Sequence, residues 1–453
     1  MTDSDVRTVF ANVDMASEPP LPAGYLDQTL ARARRAVRRR RLAGLGAGTV
    51  AVVLLVVAVA LLPFPTLPRS QVGRPDGPSL PDRFAPYSPL TASVRTSPPG
   101  RAIALYEYGS SELFTSWQLL VAGADRDTYR RVEFDPMAPR LLAPDGSRVL
   151  FYAEPRTFHL VDLTSGTTTT LASVEWASNV GAGLQLLAWS PDGRYVAYAV
   201  PAPSPGDGRA ENSFLGERPI MDLALLDLTS GATTRVAGFQ PVWAAAFAPD
   251  GRTLAVQTGP GKAWITTVDG HRVRSLDLIG GDLAHGIAWS PDGALLATAP
   301  YGGGTNEAPG DGVTFIDASG TGAATPRALP AGRMLGWSSP TSVIVHEVDD
   351  ATGDVVAEVS TRDGSARVLS SFDRASRCEF WQMRCRPYRI QLASALLPHA
   401  GLRPGDPDRG PLPLWLRVLV AAAVLPATAA VVWWATRARR RGQRSISRWR
   451  WSG

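Results

Sequence analysis

The chain repeats a pattern in which an apolar run ends in a Pro-Asp-Gly turn and the next run alternates between two kinds of position, as in "LLAWSPDGRYVAYAV". A period of two is typical of a β-strand with two different faces. Asp-Gly tolerates the positive φ that tight hairpins need, so the pattern predicts β-hairpins. The turn residues of the four clear copies are Asp145, Gly146, Asp192, Gly193, Asp250, Gly251, Asp292 and Gly293.

The spacing of these turns predicts the fold. Successive turn aspartates are 47, 58 and 42 residues apart, and each unit continues into a further strand with a second turn, as in "LVDLTSGTTTTL" and "LLDLTSGATTRV". Periods of about 40–50 residues with several strands each are typical of propeller blades. We therefore predict an all-β, six-bladed propeller with four strands per blade over residues 91–372. Residues 373–397 would close the ring, cap it or form a seventh blade.

The first strand of each unit is expected to line the central channel. Its final aromatic residue would pack between neighbouring blades, because one blade cannot bury both faces of its sheet. These aromatic residues are Trp189, Phe247, Trp289 and Trp337. Two less regular copies, "VRTSPPGRAIALYEY" and "MLGWSSPTSVIVHE", would supply the first and the last blade.

The motif "AWSPDGRYVAYAV", followed by "LLDLTSGATTRV", resembles the repeat of TolB-like six-bladed propellers, which are related to WD repeats. The resemblance covers about 280 residues and implies the fold. The third strands end in "VDL" or "LDL" instead of the Trp-Asp of true WD repeats. The whole layout resembles an actinobacterial class of membrane proteins with a short Arg-rich stub and an outer propeller, a class that implies no particular chemistry.

Two uncharged runs flank the repeats. Residues 42–62 would extend about 31 Å as a helix, enough to cross a bilayer core, and a second run lies within 414–436. Arginine clusters in 32–41 and 437–453 lie on the outer sides of both runs. By the positive-inside rule, both termini are then cytoplasmic and the propeller is extracytoplasmic. A cleaved signal peptide is the alternative for the first run, although the run and its leader are long for one.

The predicted organisation is a cytoplasmic stub (1–41), a transmembrane helix (42–62), a Pro-rich tether (63–89), the propeller (90–397), a second tether (398–413), a second transmembrane helix (414–436) and a basic cytoplasmic tail (437–453). Residues 65–411 carry 30 basic and 36 acidic side chains, so the excess positive charge lies in the two tails. Beside a membrane these tails suit anionic lipid, and no nucleic-acid partner is expected. Cys378 and Cys385 fall in the outer part, where a disulfide would persist; two free thiols are the alternative.

The repeated aspartates are interpreted as turn-building residues. The opposite face carries the long insertions, 201–221 and 300–312, and the blade-to-blade loops. Aromatic side chains and a histidine in such loops suggest a binding rim, although tolerated insertions would look the same. The candidate rim residues are Trp176, Phe214, Phe239, Trp243, His285 and Tyr301.

No catalytic, metal or cofactor motif is found in the sequence. "GGGT" lacks the pattern of a phosphate loop, and the acidic turns lack the spacing of a calcium loop. We therefore expect a non-enzymatic, membrane-anchored propeller that binds a protein or another ligand of the cell envelope. One alternative is a signalling protein whose stub binds a sigma-factor-like partner. Another is a propeller enzyme of the lactonase or lyase type, which the apolar channel strands ("LLAWS", "AAAFA", "GIAWS") disfavour.

Overall fold

The structure is a computed structural model that describes residues 77–86, 88, 90–108, 118–134, 138–153, 157–173, 184–202, 220–279, 281–300, 312–322, 324–329, 332–349, 353–372, 387–412, 415–419, 422, 426, 429 and 433. It contains two compact units, one formed by Thr66–Pro413 and the other by Met1–Pro65 together with Leu414–Gly453. Residues 1–62, 437–453 and most of 414–436 lie outside the described residues. Within the described part of the chain, no helix is both long enough and apolar enough to span a bilayer.

The larger unit is built from short strands. In chain order they are β1 (Ser79–Pro81), β2 (Arg83–Phe84), β3 (Ala102–Tyr108), β4 (Gln118–Gly123), β5 (Tyr129–Val132), β6 (Arg140–Leu142), β7 (Arg148–Ala153), β8 (Thr157–Asp162), β9 (Thr168–Ser173), β10 (Gln185–Trp189), β11 (Tyr195–Pro201), β12 (Met221–Asp227), β13 (Thr233–Val236), β14 (Ala244–Phe247), β15 (Thr253–Gly259), β16 (Lys262–Thr267), β17 (Arg272–Asp277), β18 (Asp282–Leu283), β19 (Leu295–Ala299), β20 (Thr314–Asp317), β21 (Arg333–Ser339), β22 (Ser342–Asp349), β23 (Gly353–Ser360), β24 (Ala366–Phe372), β25 (Pro387–Leu392) and β26 (Gly401–Arg403). Two short 3-10 turns, His285–Ile287 and Leu397–His399, interrupt them.

The strands form six blades, so the six-bladed prediction is confirmed. From the innermost strand outward, the blades are β25-β3-β4-β5, β6-β7-β8-β9, β10-β11-β12-β13, β14-β15-β16-β17, β18-β19-β20 and β21-β22-β23-β24. The fifth blade has three strands in the described residues. An isolated antiparallel β-bridge between Val313 and Leu329 extends its outer edge. All neighbouring strands within these six blades are antiparallel.

The first blade is assembled differently from the prediction. Its inner strand is β25, near the end of the repeat region, and it pairs with β3. The residues of "VRTS" that were expected to provide this strand form turns instead, apart from a bridge between Ser93 and Arg131. A strand from the far end of the chain thus closes the ring, which removes two free sheet edges. Residues 387–392 therefore close the ring and do not begin a seventh blade.

The predicted propeller boundaries, 90–397, and the two predicted tethers are also corrected. β1 pairs in parallel with β26, and β2 adds to the outer edge of the sixth blade beside β24. Arg403 fastens the two chain ends: its guanidinium donates to the carbonyls of Gly123 (2.7 Å) and Ala124 (3.1 Å) and to the backbone carbonyl of Ser79. The prolines in these segments led to the prediction of extended tethers. Proline lacks a backbone N–H group but is tolerated in a short strand at the edge of a sheet, as at Pro81 in β1.

The core lies between the blades, as the aromatic positions predicted. Trp189, Phe247 and Trp337 are each no more than 6% exposed and belong to apolar clusters that join neighbouring blades. Trp289 is half-buried, and its indole N–H donates to the carbonyl of Ala246 in the preceding blade at 3.1 Å. These contacts hold the inner strands in a ring and thereby position the channel.

Candidate functional site

The central channel encloses a cavity of about 340 Å³. Its walls come from the inner strands β25, β6, β10, β18 and β21, that is, from five of the six blades, and from the 3-10 turn His285–Ile287. Most of the wall is apolar, and Leu141, Leu186 and Ile287 are only half-buried because they face this space. A cavity of this size at the centre of a propeller can hold a small ligand or a protruding side group of a larger one.

One mouth of the channel carries polar groups at equivalent positions. We call this set the mouth ring; it consists of the opening residues of β6, β10, β18 and β21 together with a residue of β25, and its members are Arg140, Gln185, Asp282, Arg333 and Arg389. The inner strands run from this mouth towards the Pro-Asp-Gly turns. Because Pro201 pairs with Met221, the two ends of the 201–221 insertion lie at the mouth-ring end of their blade.

Three arginines dominate the charge of the mouth ring. Arg140 of the second blade forms a salt bridge with Glu107, and Arg389 of the first blade lies 3.5 Å from the same carboxylate. Glu107 is 1% exposed, so it holds both guanidinium groups from behind the wall. Arginine side chains remain protonated at neutral pH, and these two guanidinium groups share the one carboxylate of Glu107.

Arg333 of the sixth blade adds to this charge. Burial lowers the pKa of its guanidinium to about 10; Tyr388 opposes this shift, and the nearby charge of Arg389 reinforces it. Arg333 keeps some exposed surface because the cavity admits solvent, whereas protein surrounds it on the other sides. Two like charges are thus held close together at the mouth, an arrangement that an anion would stabilise.

Two backbone distortions lie in the cavity wall. Among the described residues other than glycine, only His285 (φ 48°) and Arg389 (φ 49°) have a left-handed backbone. Arg389 lies where the register between β25 and β3 shifts, and such a bulge re-aims a side chain. Non-glycine residues in this conformation cost of order 1–3 kcal/mol and cluster at functional sites.

The turn that contains His285 partly fills the channel. A Cβ atom on Gly286 would approach the Ala188 Cα and the Leu187 carbonyl oxygen to 3.0 Å, so the turn lies directly against β10. This close approach favours glycine at 286 and brings a residue of the fifth blade into contact with the third. The side chain of His285 lines the cavity beside it.

Hydrogen bonds fix the remaining polar groups. The Gln257 amide donates to Asp282 at 2.5 Å, and its carbonyl oxygen accepts from the N–H of Leu283 at 2.9 Å. On the opposite side, the Gln391 carbonyl oxygen accepts from the N–H of Leu142 at 2.8 Å. These side chains link neighbouring blades, so the mouth ring is built on a rigid frame.

The Pro-Asp-Gly turns lie at the other end of the channel, and their aspartates build the turns. In each turn one carboxylate oxygen accepts the backbone N–H two residues later: Ser147 at 2.9 Å, Arg194 at 3.0 Å, Arg252 at 2.8 Å and Ala294 at 3.1 Å. The four turn glycines all have positive φ. At Gly146 a Cβ atom would lie 2.0 Å from the Ala102 carbonyl oxygen, so this turn also packs against the first blade.

The candidate rim residues do not form one surface. Phe239 is 1% exposed and packs in the apolar cluster between the third and fourth blades, under the guanidinium of Arg272, so its side chain is not available on a rim. Trp243 is half-buried just before β14, and His285 lines the channel. Trp176, Phe214 and Tyr301 lie outside the described residues, as do Cys378 and Cys385.

Sequence reasoning missed the mouth ring. The sequence interpretation rested on the centres of the channel strands, which are apolar. The polar residue at the start of each strand was not considered. The available signal was a polar residue directly before an apolar run that leads to the next turn, as in "RLLAPDG" and "QLLAWSPDG". In the described residues, no group of three or more His, Cys, Asp or Glu side chains is placed to hold a metal ion.

Comparison with known proteins yields similarity at the level of solved structures. No family model matches the chain, and no curated protein matches it. TolB from Acinetobacter baumannii is 16% identical, with 65% of this chain and 67% of that chain covered and a TM-score of 0.43. An oligogalacturonate lyase in complex with manganese is 16% identical, with 70% and 98% covered and a TM-score of 0.42. The strand pairing itself, which closes six blades around a channel, makes the larger unit a six-bladed propeller.

Proposed function

We propose that this protein is a membrane-anchored, extracytoplasmic binding module that takes its ligand at the mouth ring of the propeller. The anchoring part of the proposal is supported by the two uncharged runs with arginine clusters on their outer sides. The binding part is supported by the open cavity and its polar entrance.

The binding proposal depends chiefly on one observation, the location of the two non-glycine residues with positive φ. Both non-glycine residues with a left-handed backbone in the described chain, His285 and Arg389, line the same cavity. The cavity is also bounded by strands from five blades, so its shape depends on closure of the whole ring. A turn and a bulge that cost stability at this place favour a role for the side chains that they present to the cavity.

We further propose that the module binds without catalysing a reaction. The dominant charged groups of the mouth ring are arginines, which bind oxyanions through fixed hydrogen-bond geometry and do not exchange protons near neutral pH. The aspartates of the opposite face are engaged in their own turns.

Site-specific photo-cross-linking in cells that express the full chain tests the binding site. One photoreactive residue replaces Gln185, which is exposed at the mouth, and another replaces Thr229, which is exposed in the turn at the opposite end of the same blade. We expect an adduct at position 185 that Leu186→Trp, which fills the cavity, removes. Adducts of equal yield at both positions, adducts at 229 alone, or none at either would refute the mouth ring as the binding site.

A further inference from the structure

We infer that the channel ligand is a small amphiphilic anion, with a carboxylate or phosphate group bound by Arg333 and Arg389 and an apolar body lying against the leucine-rich wall. This inference rests on the proposed function and adds the chemical class of the ligand.

The charge balance of the wall supports an anion. Three arginines and Asp282 are the arginine and carboxylate side chains that line the cavity, and the buried carboxylate of Glu107 offsets one of the three positive charges from behind the wall. Asp282 belongs to the fifth blade and is hydrogen-bonded to Gln257, whereas the arginines come from the adjacent sixth, first and second blades. The positive charge is therefore concentrated in one arc of the ring.

The exposure of Arg333 and Arg389 to the cavity also supports an anionic ligand. Arg140 is 5% exposed and held by the buried carboxylate of Glu107, so its role is to fix the wall. Arg389 retains 19% side-chain exposure, and Arg333 is half-buried towards the cavity. A guanidinium presents parallel N–H donors that match the two oxygens of a carboxylate or phosphate. An oxyanion between Arg333 and Arg389 would also neutralise their mutual repulsion.

The remaining wall defines the other end of the ligand. Leu141, Leu186 and Ile287 each present partly exposed apolar surface to the cavity, and Leu335 and Met334 line it beside Arg333. Burial of an apolar ligand body against such a surface contributes roughly 25 cal/mol per Å². A purely polar anion, such as inorganic phosphate, would leave this surface in contact with water.

A series of one-ring compounds separates the head group from the body. The full chain in lipid nanodiscs is titrated calorimetrically with benzoate, phenyl phosphate, inorganic phosphate, benzyl alcohol and benzylamine, and empty nanodiscs serve as the blank. We expect benzoate or phenyl phosphate to bind at least tenfold more tightly than benzyl alcohol, benzylamine and inorganic phosphate. The two aromatic anions distinguish a carboxylate from a phosphate source.

Variants test the assigned residues. Arg333→Gln should weaken binding of the preferred anion at least tenfold, and Arg333→Lys should weaken it less, because the charge is kept while the paired donors are lost. Arg367→Gln, an exposed arginine of the same blade, is the matched control and should bind as the wild type does. The head-group series on the wild type does not depend on any variant being folded.

Two results would overturn the inference. If benzyl alcohol and benzylamine bind as well as benzoate, the cavity takes ligands without selecting an anion, and the proposed binding function survives. If neither aromatic anion binds at millimolar concentration while cross-linking at position 185 succeeds, the ligand belongs to another class. Failure of the cross-linking experiment would instead contradict the proposed function itself.

Discussion

Glu107 on β3 and Arg140 on β6 form a buried salt bridge that joins the first two blades at the channel mouth. Their side chains are 1% and 2% exposed, and Arg389 shares the same carboxylate. The salt bridge connects the first blade, whose inner strand β25 comes from the end of the repeat region, to the second blade, whose four strands are consecutive in sequence. The position of two mouth-ring arginines, Arg140 and Arg389, therefore depends on closure of the ring.

Glu107→Gln should destabilise the propeller strongly. Removing one partner of a buried pair leaves an uncompensated charge, and the expected loss in the free energy of unfolding is about 3–5 kcal/mol. Chemical denaturation of the full chain, followed by tryptophan fluorescence, measures the loss. Glu358→Gln breaks a pair with Arg367, whose side chain is 68% exposed, and should cost less than about 1 kcal/mol. Equal effects of the two variants would contradict the buried role of Glu107.

The inter-blade tryptophans should differ in their contribution. Trp337 is 4% exposed and packs near Phe315, so Trp337→Ala should cost about 3–5 kcal/mol. Trp289 is half-buried, and Trp289→Phe removes mainly its hydrogen bond to Ala246, worth about 1 kcal/mol. Thermal unfolding of both variants checks the order. A larger effect at Trp289 would mean that the packing between the fourth, fifth and sixth blades is misassigned.

The propeller could be predicted from the sequence because its information is local and repeated. Each "PDG" turn and each alternating strand specifies a hairpin, and the spacing specifies the blade. The inner strand of the first blade could not be predicted in this way, because β25 lacks the Pro-Asp-Gly turn and its partner β3 is about 280 residues away. Because the entropic cost of closing a loop rises slowly with its length, two strands this far apart in sequence can still pair. No local sequence pattern marks such a pairing.

The mouth ring escaped prediction for a related reason. A polar residue before an apolar strand, such as Gln185 or Arg333, looks like an ordinary loop boundary in one repeat. Only closure of the ring brings the strand openings from different blades to one mouth. The turn aspartates could be interpreted as structural residues because the Pro-Asp-Gly pattern is local, and in the structure their carboxylates accept hydrogen bonds from residues two or three positions later.

Arg403 should prove essential to the junction of the two chain ends. It is 7% exposed and donates to carbonyls of Ser79, Gly123 and Ala124. Arg403→Lys keeps the charge but cannot reach all these acceptors at once, and each buried acceptor left without a donor costs roughly 1–3 kcal/mol. We expect a lower melting temperature and faster hydrogen exchange at the backbone amides of Ser79 and Leu80. Unchanged exchange there would show that the junction does not depend on this side chain.

Acid should weaken the turns at the end opposite the mouth ring. Hydrogen bonds from Ser360 and Ser365 lower the pKa of Asp363 to about 2. Burial alone would raise the pKa of Asp250, but hydrogen bonds from Thr253 and Arg252 outweigh it and hold the pKa below its usual value. Since these folded-state pKa values lie below the unfolded value of about 3.9, the stabilisation is complete above about pH 4.

This stabilisation is lost as the pH falls from about 4 to about 2. Asp363→Asn should therefore be less stable than the wild type at neutral pH, and the difference should shrink through this window as the wild-type carboxylate becomes protonated. Denaturation at a series of pH values measures both curves. A difference that stays constant down to pH 2 would show that the turn does not favour the ionised form of Asp363.

The proposed topology predicts opposite accessibility for the propeller and the basic tail. In a variant whose Cys378 and Cys385 are replaced by serine, Thr229→Cys places one thiol in an exposed propeller turn, and Ser445→Cys places one in the tail. Because arginine-rich segments are retained on the cytoplasmic side, a membrane-impermeant maleimide added to intact cells should label position 229 only. After the membrane is permeabilised, both positions should react, which controls for thiols that are hidden by folding. Labelling of position 445 in intact cells together with protection of 229 until permeabilisation would reverse the orientation and place the mouth ring in the cytoplasm. Labelling of both positions in intact cells would contradict the cytoplasmic tail.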